Sequence, residues 1–369
     1  MTHPTPAQRM TRWAAIVMLL LIAAPASANA GTPLMWAGML HLVAGNTLLG
    51  IGEWLLLTRL LGITRTASGC PLMIVANYAS AWLGMVLLRA MAVPQPTIVT
   101  IALWLSAAVA IAFLITLAIE FPFVLVLGKG QRLPWRRVAR AVLITHLISY
   151  TVLAAWYGSA SRMTFMTGLT VVPAADLAPS EQIAVWYLSS DRQRVQRMDL
   201  DDTPPRVVAE IPARRLAITT DGAGALRIHA SRSDRFVTDG AVLIADGLHG
   251  QAVSDGPEKW PHPFGSVPSI GDDGWRFRIG HWAADGIIAE HPSSGVRARF
   301  ALETPFAAWP VRHAVHLGSG RVVFQLGSDQ ICLLDAASRR IALVARGAAP
   351  VAIRMEQMPD APSAVRAQE

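Results

Sequence analysis

Residues 97–127 read TIVTIALWLSAAVAIAFLITLAIEFPFVLVL, and the ionisable residue within this stretch is Glu120. A helix of about 20 apolar residues crosses the roughly 30 Å hydrocarbon core of a bilayer, so the stretch predicts a membrane-spanning helix. The whole chain agrees with this prediction, because 53% of its 369 residues are hydrophobic, 15% are charged and its mean hydropathy is +0.39. An ordinary soluble enzyme is not expected from this composition.

Three further apolar stretches, at about residues 34–61, 71–92 and 138–157, predict a membrane α-helical bundle of four transmembrane helices over residues 31–158. Ahead of them, Arg9 and Arg12 precede an apolar run at 14–24 and a small-residue segment that ends at Ala30. This order is typical of a secretory signal peptide, which we predict over residues 1–30. The alternative is an uncleaved first helix, although the run is short for a bilayer.

The loops between the predicted helices indicate the orientation, because cytoplasmic loops carry an excess of Lys and Arg. The 62–70 loop holds Arg65, with Arg59 just before it, and the 128–137 loop holds four basic residues. The segments 31–33 and 93–96 hold no charge. We therefore predict a multi-pass protein of a bacterial-type inner (plasma) membrane, with its C-terminal part outside the cytoplasm.

The net charge of +7 belongs to the membrane half. Residues 1–158 contain 10 of the 32 basic residues but only 2 of the 25 acidic ones, Glu53 and Glu120. The sequence pI near 10.2 therefore reflects basic loops, and nucleic acid is not an expected partner. The two cysteines, Cys70 and Cys332, fall in different halves and predict no disulfide framework.

From about residue 183 the pattern changes to short runs of β-branched and aromatic residues that are separated by turn signals. Asp-Gly, a dipeptide suited to hairpin turns, occurs in this half six times. The six pairs begin at residues 221, 239, 246, 255, 273 and 285. We predict a linker at 159–182, an extracytoplasmic all-β domain of antiparallel strands at 183–354, and a disordered tail at 355–369.

Two stretches of this domain, beginning at Tyr187 and Phe324, resemble each other. Each reads as strand, turn, strand ending in Asp, turn, strand, with Asp199 and Asp335 at the ends of the second strands. This order resembles the middle of a β-propeller blade and predicts a propeller-like domain, with a β-sandwich as the alternative. The seven histidines of the domain form no zinc-binding spacing, so binding of a protein or an envelope ligand is more natural than catalysis.

Polar residues recur at one depth in the four predicted helices. Counted from the cytoplasmic ends at about 1.5 Å per residue, each helix places one of them roughly 9 to 12 Å from the cytoplasmic boundary. These residues are Glu53, Asn77, Glu120 and His146. Ionisable residues inside a bilayer cost roughly 2.5 to 3.5 kcal/mol on insertion scales and usually face a bundle interior. We therefore predict one polar layer that receives a side chain from every helix.

Further polar residues share helix faces with this layer or lie nearer the outer surface. Together with Asn77 they form a predicted intramembrane network of His41, Asn46, Asn77, Ser80, Ser149 and Tyr150.

The chemistry of the layer leaves three interpretations. Two carboxylates and an imidazole suit a divalent metal site formed by Glu53, Glu120 and His146. The same groups suit a proton relay in which one Glu is kept protonated. They also suit a hydrogen-bonded cluster that only fixes helix register. Haem ligation is disfavoured, because the two histidines of the bundle, His41 and His146, lie at different depths.

Two hypotheses for the whole protein follow. In the first, the β domain binds a protein or an envelope ligand, the helices anchor it or carry a signal, and the protein is not an enzyme. In the second, the bundle is a metal- or proton-dependent enzyme or transporter and the β domain is accessory. Four helices are few for a transporter, which favours the first hypothesis. The lipid bilayer is a partner in both.

Overall fold

A computed structural model describes residues 33–66, 68–90, 96–129, 131, 133–161, 168–200, 204–233, 241–252, 265–280, 286–304 and 307–355. The predicted signal peptide at 1–30 and the predicted disordered tail, apart from its first residue, lie outside these ranges, so both stay predictions. Helices form the N-terminal half of the described chain, and strands form most of the remainder.

Four helices are long and apolar enough to cross a membrane, as the sequence predicts. The first combines α1 (Pro33–Leu40), one π-helical turn (His41–Gly45) and α2 (Asn46–Leu61). The others are α3 (Gly69–Ala90), α4 (Ile101–Leu127) and α5 (Trp135–Ala160). Each helix packs against the next along the chain, and α5 packs back against α2, which closes the bundle.

Two glycines show why the first turn of this bundle is tight. A Cβ atom on Gly50 would lie 2.7 Å from Ile74 Cα, so the bare backbone of Gly50 lets α2 and α3 approach closely. Gly62 ends α2 in the left-handed conformation with φ 70°, which a residue without a Cβ adopts at no steric cost. The chain can then turn back into α3 within a few residues.

The described part of the C-terminal half contains nineteen strands. They are β1 (Thr170–Val171), β2 (Ile183–Leu188), β3 (Arg194–Asp199), β4 (Arg206–Glu210), β5 (Arg215–Thr220), β6 (Leu226–Ser231), β7 (Val242–Leu248), β8 (Gly250–Ala252), β9 (Gly265–Ser266), β10 (Arg276–Ile279), β11 (Ile287–His291), β12 (Val296–Phe300), β13 (Glu303–Thr304), β14 (Ala307–Ala308), β15 (Val311–Gly318), β16 (Arg321–Leu326), β17 (Gln330–Asp335), β18 (Arg340–Arg346) and β19 (Ala348–Met355).

These strands form five sheets, and every pairing within them is antiparallel except that of β1 with β18. The sheet orders are β1-β18-β17-β16-β15, β12-β11-β10-β9, β13-β14, β4-β3-β2-β19-β8 and β5-β6-β7. The two similar stretches of sequence form β2–β4 and β16–β18, each a run of three antiparallel strands. The prediction of an antiparallel β domain is confirmed; none of the five described sheets closes on itself.

The Asp-Gly pairs do not all form turns between strands. Gly274 and Gly286 have φ of 80° and 64° and precede β10 and β11, as expected of turn glycines. Gly247, with φ 66°, lies inside β7, where we predicted a hairpin turn. The register between β6 and β7 shifts beside it, so this pair forms a bulge in a continuous strand. The pairs at 239 and 255 lie outside the described residues.

The β domain also contacts the bundle through side chains. The Ile98 backbone N–H donates to Gln330 Oε1 at 2.8 Å, and Gln330 Nε2 donates to Pro96 O at 3.5 Å. Ile98 and Ile101 are buried in the same apolar cluster as Phe324 of β16. The segment before α4 and the β domain therefore lie at the same end of the bundle, which is called the β-domain end below.

Candidate intramembrane polar site

The four helices bring the predicted polar layer together inside the bundle. Glu53 lies on α2, Asn77 and Ser80 on α3, Glu120 on α4, and His146 and Ser149 on α5. All six side chains are buried, and those of Glu120 and His146 have no exposed surface. A buried ionisable group must be paired or hydrogen-bonded, since its desolvation is otherwise costly. The partners of these groups therefore decide what the layer can do.

Both carboxylate oxygens of Glu53 accept hydrogen bonds. Asn77 Nδ2 donates to Glu53 Oε2 at 2.6 Å, and Ser149 Oγ donates to Glu53 Oε1 at 2.6 Å. The same Asn77 nitrogen donates to Met73 O at 3.2 Å, and a backbone carbonyl only accepts. This second bond fixes the orientation of the Asn77 amide, so the nitrogen and not the oxygen faces Glu53.

Glu120 is held by a hydroxyl and an imidazole. Ser80 Oγ donates to Glu120 Oε1 at 2.6 Å, and His146 Nε2 lies 3.2 Å from Glu120 Oε2. His146 Nδ1 lies 2.8 Å from Val142 O and must donate to it. A neutral His146 would then present a lone pair to Glu120, so a hydrogen bond between Nε2 and Oε2 requires a proton on one of these two atoms.

Glu53, Glu120 and His146 form a cluster that can hold a metal ion. One ligand atom from each of the three lies within 4.8 Å of the other two. The donor set fits a divalent cation, because a histidine that binds a metal through one ring nitrogen usually donates its other N–H to a carbonyl. The bond from His146 Nδ1 to Val142 O provides this, and leaves Nε2 facing the cluster. Two carboxylate oxygens and one imidazole nitrogen suit Zn²⁺, Mn²⁺ or Fe²⁺.

The remaining members of the predicted network lie around this cluster. His41 Nδ1 pairs with Tyr157 Oη at 2.8 Å, and Tyr150 Oη pairs with Thr116 Oγ1 at 3.0 Å. Asn46 is 2% exposed, and its Nδ2 has no hydrogen-bond partner within the described chain.

Polar residues that sequence reasoning missed in the bundle include Thr145, Tyr157 and Thr116. Thr145 is fully buried, and its Oγ1 has no partner among the described residues. Its position four residues before Ser149 was the available signal. Tyr157 and Thr116 pair with predicted residues that are 116 and 34 positions away, and no sequence pattern indicates such pairs.

The comparisons with known proteins leave this site without a precedent. No protein-family model matches the chain, and no curated protein matches it. A crystal structure of a nidogen/laminin complex is 13% identical, with a TM-score of 0.18, over 46% of this chain and 64% of that one. A crystal structure of puromycin hydrolase is 16% identical, with a TM-score of 0.18, over 46% of this chain and 28% of that one. The chain thus spans less than two thirds of either structure, and such distant likenesses carry no argument about fold or function.

Proposed function

We propose that this membrane protein holds a divalent cation inside its four-helix bundle, with Glu53, Glu120 and His146 as the protein ligands. The observation that carries the proposal is the convergence of these three buried side chains from three helices, with ligand atoms within 4.8 Å of one another. They include both acidic residues of the first 158 residues. The donors Asn77, Ser149 and Ser80 orient the carboxylates.

The β domain, in this proposal, lies outside the cytoplasm of a bacterial-type cell and binds a protein or an envelope ligand. The basic loops at 62–70 and 128–137 support that orientation through the positive-inside rule, and both belong to the end of the bundle opposite Gln330. Three of the five described sheets consist of strands that are consecutive in the chain, and the sheet of β2, β3 and β4 is completed by the C-terminal strand β19, which supports a propeller-like arrangement of blades. The bundle then anchors this domain, and the cation stabilises the bundle or regulates the domain.

Metal analysis of the full chain tests the proposal. The protein is purified in detergent without chelators, and its metal content is measured by mass spectrometry beside Glu53→Ala and Glu120→Gln. We expect about one divalent ion per chain in the wild type and loss of that ion in both variants, because Glu53→Ala removes a ligand and the neutral amide of Glu120→Gln is a poor ligand in place of a carboxylate.

A matched control is Thr151→Ala, one position beyond the predicted network on α5. Thr151 is exposed, and its hydroxyl donates to Leu147 O within its own helix. The control should keep the metal. Wild-type protein that is metal-free, and that binds neither Zn²⁺ nor Mn²⁺ when these are added, would exclude the metal site.

A proton relay is the second candidate, and the 3.2 Å contact between His146 Nε2 and Glu120 Oε2, which can hold a proton, favours it. In that case the infrared spectrum of the metal-free protein should show a protonated carboxyl band that is absent from Glu120→Gln. The band separates a proton-binding layer from one in which both glutamates are permanently ionised.

A further inference from the structure

The bundle is packed unevenly along its length. On α5 the buried side chains run from Val138 to Ser149, and none of the residues from 150 to 160 is buried. On α4 no residue is buried between Ala108 and Glu120. On α4 and α5 the polar layer therefore lies between a tightly packed segment and a loosely packed one, while Leu34 and Ala37 of the first helix and Ile101 and Ala108 of α4 are buried farther toward the β-domain end.

The half away from the β domain is closed by apolar side chains. One buried cluster there contains Leu57, Leu61, Ile63, Met73, Ala76, Val124, Val138, Ala141 and Val142. Leu57 lies one helical turn beyond Glu53, and Val142 lies one turn before His146, so the cluster begins directly below the layer. A close-packed apolar cluster of this kind excludes water and ions.

The half toward the β domain contains polar groups where the other half contains leucines and valines. Asn46 lies seven residues before Glu53 on the same face, about 10 Å along the helix axis, and its Nδ2 is buried without a partner in the described chain. Buried polar atoms without a partner commonly bond to internal water. Farther toward the β-domain end, His41 pairs with Tyr157. The π-helical turn at His41–Gly45 lies between this pair and Asn46, and such turns occur frequently at functional sites.

From this asymmetry we infer that the proposed site exchanges its cation with water at the β-domain end of the bundle alone. Asn46 and the His41–Tyr157 pair line the route, and the apolar cluster around Leu57 and Val138 closes the other end. The inference rests on the proposed function for the identity of the ion. The protein then binds a divalent cation from the compartment that contains the β domain and does not conduct the ion across the membrane.

Cysteine accessibility in sealed vesicles tests the route. Cys70 is first replaced by Ser; the other native cysteine, Cys332, is fully buried. Single cysteines are then placed on α2 at Asn46→Cys and Leu57→Cys, which lie on the same face on either side of Glu53. A charged, membrane-impermeant methanethiosulfonate reagent is added to vesicles of each orientation. We expect complete modification of Asn46→Cys from the β-domain side alone, and no modification of Leu57→Cys from either side.

A second pair on α5 keeps the test valid if Asn46→Cys does not fold. Leu153→Cys lies one turn beyond Ser149 toward the β-domain end, and Val138→Cys lies one turn before Val142 toward the other end. The first should be modified from the β-domain side and the second from neither side. Modification of Leu57→Cys or Val138→Cys from the opposite side would overturn the inference. So would the absence of modification at both Asn46→Cys and Leu153→Cys.

The accessibility result does not depend on metal content, so the two proposals can fail separately. If the wild type binds stoichiometric metal but neither Asn46→Cys nor Leu153→Cys is modified, the proposed exchange route is wrong and the metal site is retained. One-sided modification of a protein that binds no metal would support the route and overturn the metal site, which leaves the proton as the exchanging ion.

Discussion

The two halves of the molecule place their charges in opposite ways. In the β domain most ion pairs of the described residues are at least partly exposed, such as Arg297–Glu290 with side chains 69% and 34% exposed, and the pair of His316 with Asp273 is the more buried exception. In the bundle, His146 and Glu120 face each other with no exposed surface at all. Exposed pairs are worth about 0 to 1 kcal/mol, whereas a buried charge that loses its partner is costly.

This difference shows which half of the molecule contains the energetically costly groups. A surface pair of the β domain requires no explanation beyond solubility, because water already solvates both groups. The buried layer of the bundle requires one, since apolar side chains would fill the same space without any desolvation cost. A functional role is therefore expected of the buried layer more than of the surface pairs.

The largest effect is expected from His146→Leu. This change removes the imidazole partner of the fully buried Glu120 carboxyl group and leaves it the Ser80 hydroxyl alone, so we expect about 3 to 5 kcal/mol of destabilisation. Unfolding of the full chain by SDS, followed through helix ellipticity, measures it. The double variant His146→Leu with Glu120→Leu should recover much of the loss, because no unpaired group remains. The surface control Glu290→Gln should change stability by less than about 1 kcal/mol. Equal losses of stability in His146→Leu and Glu290→Gln would contradict the expected difference between buried and exposed pairs.

A smaller effect is expected where the bundle is packed most closely. In Gly50→Ala the new methyl group meets the Ile74 backbone at 2.7 Å, which pushes α2 and α3 apart and costs about 1 to 3 kcal/mol. Gly52→Ala, two residues along the same helix, meets nothing within 4 Å. It should be neutral or slightly stabilising, since alanine is the better helix former. The same SDS titration compares them, and a neutral Gly50→Ala would show that the helices do not approach so closely.

A local loss of stability is expected at the junction between the bundle and the β domain, at the backbone amide of Ile98. Gln330→Ala leaves the buried N–H of Ile98 without its acceptor, which costs roughly 1 to 2 kcal/mol. Amide hydrogen exchange at Ile98 should speed up accordingly, while the amides of the β10–β11 hairpin keep their protection. The exposed Gln193→Ala serves as the control and should leave Ile98 unchanged. Unaltered exchange at Ile98 in Gln330→Ala would mean that this hydrogen bond does not stabilise the junction.

The smallest effect concerns the pH dependence of the β domain. Burial lowers the pKa of His316 below 6.5; the carboxylates of Asp273 and Asp272 oppose this, and Arg354 adds to it. Because the folded pKa lies below the unfolded one, protonation favours unfolding. The stabilisation is complete above about pH 6.5 and is lost as the pH falls through the folded pKa.

Thermal unfolding of the full chain at about pH 7 and about pH 5 measures the effect of His316. The Tm of the wild type should fall more than that of His316→Gln. A larger fall in the variant would contradict the direction of the shift.

Much of this architecture could be predicted from local patterns. The four helices and the antiparallel domain follow from apolar length and from alternation with turn signals, which depend on neighbouring residues only. The start of α4 is a position at which local patterns do not predict the structure. Residues 97–100 are as apolar as the helix that follows, yet they form a turn in which Ile98 enters the core of the β domain. Composition does not distinguish a side chain that faces lipid from one that packs into a protein core.

The sequence by itself determined the membrane class, the number of spanning helices, and the common depth of Glu53, Asn77, Glu120 and His146, because depth depends only on the rise per residue along each helix. The tertiary structure alone decided that Glu120 pairs with His146, that Glu53 pairs with Asn77 and Ser149, and that the bundle is loosely packed toward the β domain. These features depend on the rotation of each helix about its axis and on the distances between helices. Both are set by packing among residues far apart in the chain, which no local pattern encodes.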